Sequence, residues 1–380
     1  MERNFLNKET GGLRTWLEID TKKAACNYRL FRSLLRRKTA LMAVVKSNAY
    51  GHDLFQFSKL MVGLGVNWLG VDSIVEGEAL RKTGIKIPIL ALGHTLQEKF
   101  AGAAKHKVSL TISTLVGIKA LKKYNLKFHL KVDTGMHRQG FLPEEMPQAL
   151  KILKQNKIAP ENFEGIYTHF ASAKNPAFPT DTRKQLALFN GAVELVKRAG
   201  FTPLTHAAAT SSAILFPETH LDLVRIGIGL YGLWPSREVA ASFAEKLNLQ
   251  PALSWKTVIS EIKNLPSGSR IGYDFTEKLA LQGRIAICPI GYWHGYPRAL
   301  STVGHVLVRG QRAKILGRVS MDMIIIDVSK IPNAAMNDAA VLIGQPGKAE
   351  ITADELADLS GTTNYEIVTR LNPLIRRIYR

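Results

Sequence analysis

Basic side chains stand where apolar runs of the sequence end, a position at which they could do chemistry. Lys46 closes the run 41–46, although a lysine normally follows a turn and does not sit at the tip of an apolar strand. A desolvated lysine amine loses its proton easily and can form a Schiff base with an aldehyde. Lys46 is therefore a candidate for covalent catalysis.

A second basic group accompanies the apolar run 128–133. Here Lys131, Asp133 and Arg138 lie within one short segment. A surface ion-pair cluster would account for these residues. Alternatively, the guanidinium of Arg138 is held for an anionic group, because its planar fork of N–H donors fits a carboxylate. The residues alone leave both interpretations open.

Eight short apolar runs rich in β-branched residues alternate with segments of helical periodicity, a pattern typical of βα units. The runs are 41–46, 68–72, 87–92, 108–112, 128–133, 163–169, 203–208 and 223–226. The intervening helical segments include 54–64, 115–124, 146–155 and 182–199. Eight such units over about 240 residues predict an α/β fold with a (β/α)8, TIM-like barrel, and a doubly wound open sheet is the alternative.

Barrel enzymes carry their reactive groups at the C-terminal ends of the strands, and phosphate sites lie after strands seven and eight. Thr210 follows the seventh run, and the bare backbone of Gly227 follows the eighth. A helix N-cap and a close-packed glycine turn would explain each segment separately but not their pairing. His169, which ends the sixth run, is either a packed rim residue or part of the same site.

The pattern changes after Pro235, where strand-like runs and turn signals replace helical periodicity. These runs are 253–262, 284–289, 303–308, 313–316 and 323–328. We therefore predict a barrel domain at 20–240 and a mostly β domain formed by 1–19 and 241–380. The extended segment 13–19 is expected to pair with the strands of this later domain.

Composition narrows the class of protein. The net charge of +20 raises the question of nucleic acid, but the basic residues are scattered and no nucleic-acid-binding motif accompanies them, so we expect no such partner. Two cysteines are too few for a disulfide framework or a thiolate metal cluster, and no metal is expected. No apolar run is long enough to span a membrane, and the N-terminus lacks a signal peptide, so a cytoplasmic protein is expected.

These segments together closely resemble the alanine racemases, which depend on pyridoxal 5'-phosphate (PLP). The likeness spans nearly the whole chain. Residues 43–52 read A-V-V-K-S-N-A-Y-G-H, and 131–140 read K-V-D-T-G-M-H-R-Q-G. Further matches are Y-T-H-F at 167–170, Arg225 with its glycine-rich turn, G-Y-W-H-G-Y-P-R at 291–298 and G-R-V-S-M-D at 317–322.

The resemblance implies a PLP site in the barrel. Lys46 matches the lysine that holds the cofactor, and Arg225 matches the arginine bonded to its ring nitrogen. His169 matches the residue packed near the ring. The phosphate-binding positions match Tyr50, Thr210, Gly227 and Ile228.

The same resemblance implies the catalytic and substrate groups. Lys46 and Tyr273 match the two bases, and the second base comes from the partner subunit, which implies a homodimer with shared sites. Arg138 and Met321 match groups that meet the substrate carboxylate. Lys131 matches a lysine that is often found carbamylated. Tyr292 and Arg298 match residues of the substrate entrance.

The implied reaction is the interconversion of L-alanine and D-alanine, which supplies D-alanine for cell-wall peptidoglycan. Racemisation removes a proton from one face of Cα and returns one to the other, so two bases must flank the substrate. Lysine and tyrosine normally titrate near pH 10, so such a site must lower both pKa values. Because the guanidinium of Arg225 stays charged, we expect it to disfavour a proton on the ring nitrogen and to limit transamination.

Three departures from the family pattern affect the expected site. Ala209 replaces a usual asparagine near the phosphate, Trp293 and His294 replace a pair that usually ends in aspartate, and Pro373 stands where some members have a tyrosine. A racemase of serine or lysine therefore stays open. A PLP-binding regulatory barrel is disfavoured by the long C-terminal segment. A decarboxylase relative is disfavoured because those enzymes place an acid where Arg225 stands.

Overall fold

The structure is a computed structural model that describes residues 10–380. These residues form two compact units. The barrel unit comprises 23–49 and 54–251. The β unit comprises the described residues up to Lys22, together with 50–53 and 252–380. Each unit has its own sheet, so each is described by itself.

The first strand, β1 (Thr15–Ile19), belongs to the β unit, and the next eight strands form the barrel unit's single parallel sheet. These eight are β2 (Ala40–Val44), β3 (Trp68–Val71), β4 (Ile89–Ala91), β5 (Ser109–Ile112), β6 (Phe128–Lys131), β7 (Phe163–Tyr167), β8 (Leu204–His206) and β9 (Leu223–Ile226). Each pairs with its successor up to β8, and β9 pairs with β2. Between β8 and β9 the ring is closed by hydrogen bonds from Asp222 N to Thr205 O (3.1 Å) and from Arg225 N to Ala208 O (3.0 Å). The predicted (β/α)8 barrel is confirmed.

Helices follow most of the barrel strands, as the alternating pattern predicts. They are α1 (Thr21–Leu34), α3 (Leu54–Leu64), α4 (Ile74–Lys82), α5 (Phe100–His106), α6 (Leu115–Leu121), α7 (Met146–Gln155), α8 (Pro179–Arg198), α9 (Thr210–Leu215) and α10 (Arg237–Phe243), and the segment α2 (Lys46–Tyr50) is a left-handed turn. α7 shows why they form. It buries Met146, Ala149, Leu150 and Leu153, which share one helical face, and leaves its lysines outside. None of the helices in residues 10–380 is both long and apolar enough to cross a membrane.

The β unit is built on a nine-stranded sheet with the order β11-β14-β17-β16-β15-β18-β10-β1-β19. Its strands are β10 (Leu253–Val258), β11 (Glu261–Leu265), β14 (Gly283–Cys288), β15 (His305–Val308), β16 (Gln311–Leu316), β17 (Ile324–Asp327), β18 (Ala339–Ile343) and β19 (Arg376–Tyr379), with a small pair formed by β12 (Arg270–Ile271) and β13 (Glu277–Lys278). Two short helices, α11 (Ala353–Ser360) and α12 (Asn364–Thr369), complete it. β1 pairs antiparallel with β10, as expected for the extended N-terminal segment.

The prediction of one strand over 253–262 is wrong, because the chain changes partners within it. β10 pairs with β1 and β18, whereas β11 pairs with β14. At the break, Ile259 N donates to Asp338 O (2.9 Å) and Ser260 N donates to Ile287 O (2.8 Å). Several predicted barrel strands also end earlier than expected, because their last polar residues belong to loops that carry side-chain contacts.

Candidate active site

Lys46 opens a left-handed turn directly after the first barrel strand. Ser47, Asn48, Ala49 and Tyr50 all have φ between 50° and 56°, a conformation that costs a non-glycine residue roughly 1–2 kcal/mol. Side-chain bonds hold the turn. Glu76 accepts hydrogen bonds from Ser47 N (2.8 Å) and Asp72 N (2.7 Å), and Asn48 Oδ1 accepts one from Leu54 N (2.9 Å).

The backbone from which the Lys46 side chain extends is therefore held in place at the C-terminal end of the barrel strands. Its Nζ lies 3.9 Å from Asp72 Oδ1, and both side chains are partly exposed. Strain that is retained by several specific bonds is typical of functional sites. The geometry supports a lysine presented for reaction and not one that merely covers the surface.

Arg225, on β9, is buried and held from several directions. One terminal nitrogen, NH1, lies 2.8 Å from His206 Nδ1. The other, NH2, donates to the carbonyl oxygens of Thr168 (2.8 Å) and Ala207 (2.9 Å), and lies 3.4 Å from His169 Nδ1. The guanidinium also lies 5.0 Å from the centroid of the Tyr167 ring. Burial lowers the pKa of Arg225 to about 10, which still leaves it charged at neutral pH.

His169 and His206 are neutral beside this cation. Burial, followed by the charge of Arg225, lowers the pKa of His169 to about 3. The positive charges of Arg138, Lys131 and Lys46 lower it further. The same two leading causes take the pKa of His206 well below its ordinary value. Arg225, His169 and His206 are thus brought together.

Lys131 adds an amine with a lowered pKa to the site. Burial lowers its pKa to about 8, with help from the positive charges of Arg138 and Arg225. Its Nζ lies 3.4 Å from Gln139 Oε1 and 5.7 Å from the centroid of the Tyr167 ring. A substantial fraction of this amine is unprotonated near pH 8, so it is available as a nucleophile.

Asp133 organises the loop that carries Arg138, a role that sequence reasoning missed. Its Oδ1 accepts hydrogen bonds from the amides of Gly135, Met136 and His137 (2.9–3.0 Å), and Oδ2 accepts one from Arg138 N (2.8 Å). Burial alone would raise its pKa, but these four bonds overcome burial and lower it. Asp133 therefore binds backbone amides and shapes the loop, while the Arg138 side chain stays exposed.

The loops after β8 and β9 meet at Thr210 and Gly227. Gly227 N donates to Thr210 Oγ1 (3.2 Å), which joins the start of α9 to the turn Ile228–Tyr231. The first amides of a helical turn have no acceptor within the turn, so Ile228 N can serve an anion. Gly229 is required nearby, because a Cβ there would lie 2.3 Å from the Phe31 ring.

The β unit carries the other predicted residues on exposed loops. Tyr273 is 68% exposed and Met321 is 55% exposed. Tyr292 N donates to Ser320 O (3.0 Å), which brings the Tyr292 loop against the Met321 loop. Arg298 lines, with Tyr292, a cavity of about 650 Å³ in this unit.

Tyr50 is buried in the β unit. Its ring centroid lies 6.2 Å from that of Tyr365, and burial raises the pKa of Tyr50 to about 12. Its hydroxyl therefore stays protonated at neutral pH.

The loop that carries Tyr292 departs from the family pattern at His294. Its Nδ1 accepts the hydrogen bond of Gly291 N (3.2 Å), so a neutral imidazole acts as the loop's acceptor.

The barrel has a lysine that opens a strained turn, a buried arginine and two loops that meet at Thr210 and Gly227, all at the ends of its strands. Reactive groups at the C-terminal ends of the strands are typical of barrel enzymes. Comparison with known proteins gives the particular family. The model of the alanine racemase N-terminal domain matches residues 19–235, and that of the C-terminal domain matches 252–379. The chain belongs to the alanine racemase family, a family of isomerases.

Individual relatives agree over the full length of the chain. The alanine racemase of Leptospira interrogans is 39% identical over 376 residues, covering 96% of this chain and 95% of the relative, and that of Methanococcus maripaludis is 37% identical over 371 residues, covering 96% and 98%. Among solved structures, the alanine racemase of Clostridium difficile superposes with a TM-score of 0.91 at 30% identity, covering 97% and 96% of the two chains. The Bacillus anthracis enzyme with bound L-Ala-P gives a TM-score of 0.90 at 33% identity, covering 97% and 95%.

Proposed function

We propose that this protein interconverts L-alanine and D-alanine, using PLP held in the barrel unit, and that the D-alanine serves peptidoglycan synthesis. One observation carries the proposal. The guanidinium of Arg225 lies 3.4 Å from His169 Nδ1 at the C-terminal end of the barrel, and the charge of Lys46 is one cause of the lowered pKa of the same ring. Family membership agrees with it.

The described residues fit PLP. Lys46 supplies the amine that an aldehyde needs. Arg225 bonds to protein through both terminal nitrogens, and its Nε has no hydrogen-bond partner among residues 10–380, which leaves a donor for the ring nitrogen. Thr210 Oγ1 and the amides of Gly227 and Ile228 would bind the phosphate, and the protonated hydroxyl of Tyr50 would add a donor. When bound, PLP supplies an electron sink for the carbanion that forms at Cα.

Protons are moved by groups of this protein. Lys46 Nζ would exchange a proton with Cα on one face, and Tyr273 Oη would do so on the other. Arg138 would bind the substrate carboxylate through its guanidinium, and Met321 N would donate to it. Because Arg225 cannot accept a proton, the ring nitrogen it meets would stay unprotonated, which limits transamination.

Lys131 is proposed as a site of carbamylation. Its pKa of about 8 gives a reactive neutral amine, and addition of CO2 to that amine with loss of one proton would give a carbamate anion, so that conversion of the ammonium cation would release two protons in all. The anion would face Arg138, whose charge is one cause of the lowered pKa. A carbamate would thus fix the arginine that we assign to the substrate carboxylate.

A homodimer is proposed as the active form. Tyr273 and Met321 are exposed, and other large apolar side chains of the β unit are exposed as well, including Phe275, Leu281 and Met323. Exposed apolar surface of this kind marks an interface. Tyr273 would then serve the barrel site of the partner chain, with Tyr292 and Arg298 at the entrance.

A spectrum and a racemisation assay test the function. The purified protein incubated with PLP should show a visible band that Lys46→Ala abolishes, and should convert L-alanine to D-alanine. L-Serine and L-lysine in parallel test the broader racemase, which His294 and Trp293 keep open. A colourless protein, or racemisation that survives Lys46→Ala, would overturn the proposal.

Subunit exchange tests the shared site. Chains carrying Lys46→Ala and chains carrying Tyr273→Phe are each expected to be inactive, whereas mixed dimers should recover part of the activity, because one of the two sites keeps both bases. Exchange is verified with a mass-tagged chain. Full exchange without any recovery rejects a site that is built from two subunits.

A further inference from the structure

A line of buried side chains runs from Arg225 toward the opposite end of the barrel. Arg225 NH1 lies 2.8 Å from His206 Nδ1, and His206 Nε2 lies 2.8 Å from His129 Nδ1. His129 Nε2 lies 3.6 Å from Glu164 Oε2. Both histidines are fully buried. The proposed function uses Arg225 but leaves His129 and Glu164 without a role.

We propose that Glu164 is a positioning residue for Arg225, acting through His129 and His206. This inference rests on the proposed function, in which Arg225 meets the cofactor. The carboxylate fixes the tautomers of the two histidines and thereby the direction in which the guanidinium donates. Glu164 does not touch the reacting atoms.

The groups that can donate and accept hydrogen bonds determine which nitrogen of each histidine carries the proton. An arginine only donates, so His206 Nδ1 must accept. A neutral imidazole carries its proton on the other nitrogen, so His206 Nε2 donates to His129 Nδ1. His129 Nε2 then carries the last proton and directs it at Glu164. Reversing either tautomer would set two donors or two acceptors against each other.

Hydrogen-bond donors around Glu164 keep its carboxylate ionised. Its carboxylate accepts hydrogen bonds from Ser109 Oγ and from Lys127 Nζ (2.8 Å). Burial would raise its pKa, but the His129 ring, whose Nε2 lies 3.6 Å from Oε2 and beyond hydrogen-bond distance, and the hydrogen bonds from Lys127 and Ser109 overcome burial and lower the pKa to about 2. The Glu164 carboxylate at the end of this line is therefore ionised at every pH used in the assays, and its charge partly offsets the buried positive charge of Arg225.

Packing prevents the two rings from turning. A Cβ at Gly165 would lie 2.2 Å from His129 Nδ1, so only glycine leaves room for this ring. The Trp68 ring meets His129 at a centroid distance of 5.3 Å and 77°, and the Tyr167 ring stacks on His206 at 4.6 Å and 13°. These contacts hold each nitrogen on its partner.

A purely structural role is the alternative, in which Glu164 only pairs with Lys127. The two roles differ in what they predict for the histidines. Chains carrying nitrogen-15 histidine, with and without PLP, are examined by NMR through the two-bond couplings that distinguish imidazole tautomers. His129→Gln and His206→Gln chains assign the signals. We expect both residues to be neutral with the proton on Nε2 between pH 6 and pH 9.

Three variants complete the test. Glu164→Gln is expected to mix the tautomers, because its amide can present either atom to His129, and to lower kcat about tenfold with a smaller change in KM. Glu164→Asp keeps the charge and should retain most of the Nε2 tautomer. The matched control, Lys127→Met, breaks the exposed ion pair alone and should leave kcat within about twofold.

Each outcome decides the proposal. An Nδ1 tautomer at either histidine in the unaltered chain overturns it, and this measurement does not depend on whether the Glu164 variants fold. Equal kcat for Glu164→Gln and Lys127→Met also overturns it. If Glu164→Gln does not fold, a scrambled tautomer in Glu164→Asp overturns it and a retained one supports it. A protein that neither binds PLP nor racemises alanine refutes the proposed function, while the tautomer result still decides the line of hydrogen bonds.

Discussion

Replacing Asp133 with asparagine should loosen the loop that carries Arg138. The carboxylate accepts four backbone hydrogen bonds, three at Oδ1 and one at Oδ2. An asparagine side chain at this position would keep one oxygen, so Arg138 N loses its acceptor and the other three bonds lose their ionic character. With charged hydrogen bonds worth about 1.5–3 kcal/mol and neutral ones about 1 kcal/mol, the loop should lose about 3 kcal/mol.

Hydrogen exchange measures this loss locally, which avoids treating a two-unit protein as two-state. A loss of about 3 kcal/mol corresponds to roughly hundredfold faster exchange of the amides at 135–138. The KM for L-alanine should rise in parallel, because Arg138 is no longer held. Asp181→Asn, at an exposed acid on α8, is the control and should change neither quantity.

The dependence on pH has a definite sign. The folded-state pKa of Asp133 is lowered from 3.8, so its contribution is complete above the unfolded pKa and is lost as pH falls through the folded value. The difference between Asp133→Asn and the unaltered chain should therefore be constant from pH 5 to pH 8 and shrink only below about pH 4. Unchanged protection of the loop amides at pH 7 would refute the reasoning.

Two further predictions concern the barrel. Gly165→Ala should lower the free energy of unfolding by about 1–3 kcal/mol, because its Cβ would collide with the His129 ring, and thermal unfolding measures this. Gly191→Ala, on α8 with open space around its Cβ, should instead be neutral or stabilising; equal losses for both would contradict the steric argument. Acylation of Lys131 should rise through an inflection near pH 8, as peptide mass spectrometry would show. Since the folded pKa of Lys131 lies below 10.5, stability should increase with pH between about 8 and 10.5, and a decrease there would show that the amine is not desolvated.

Local sequence determined the barrel and its reactive end. Strands buried on both faces need nearly continuous apolar runs, so β9 was predicted with its observed bounds and its neighbours within a few residues. Lys46 stood out because a charged group at the tip of such a run contradicts the pattern of a buried strand, Lys131 stood out beside Asp133 and Arg138, and the role of Arg225 followed from the family resemblance. The family resemblance, now confirmed, followed from the order of these same segments.

Only the tertiary structure decided which of these groups face one another. The line from Arg225 through His206 and His129 to Glu164 joins four strands of the barrel, and its spacing depends on sheet register, including a shift beside His129. Likewise, the run 253–262 has the sequence pattern of one strand, and only the competing partners in the sheet break it in two. Local composition reports how deeply a residue is buried, whereas its partners are set by contacts between segments far apart in the chain.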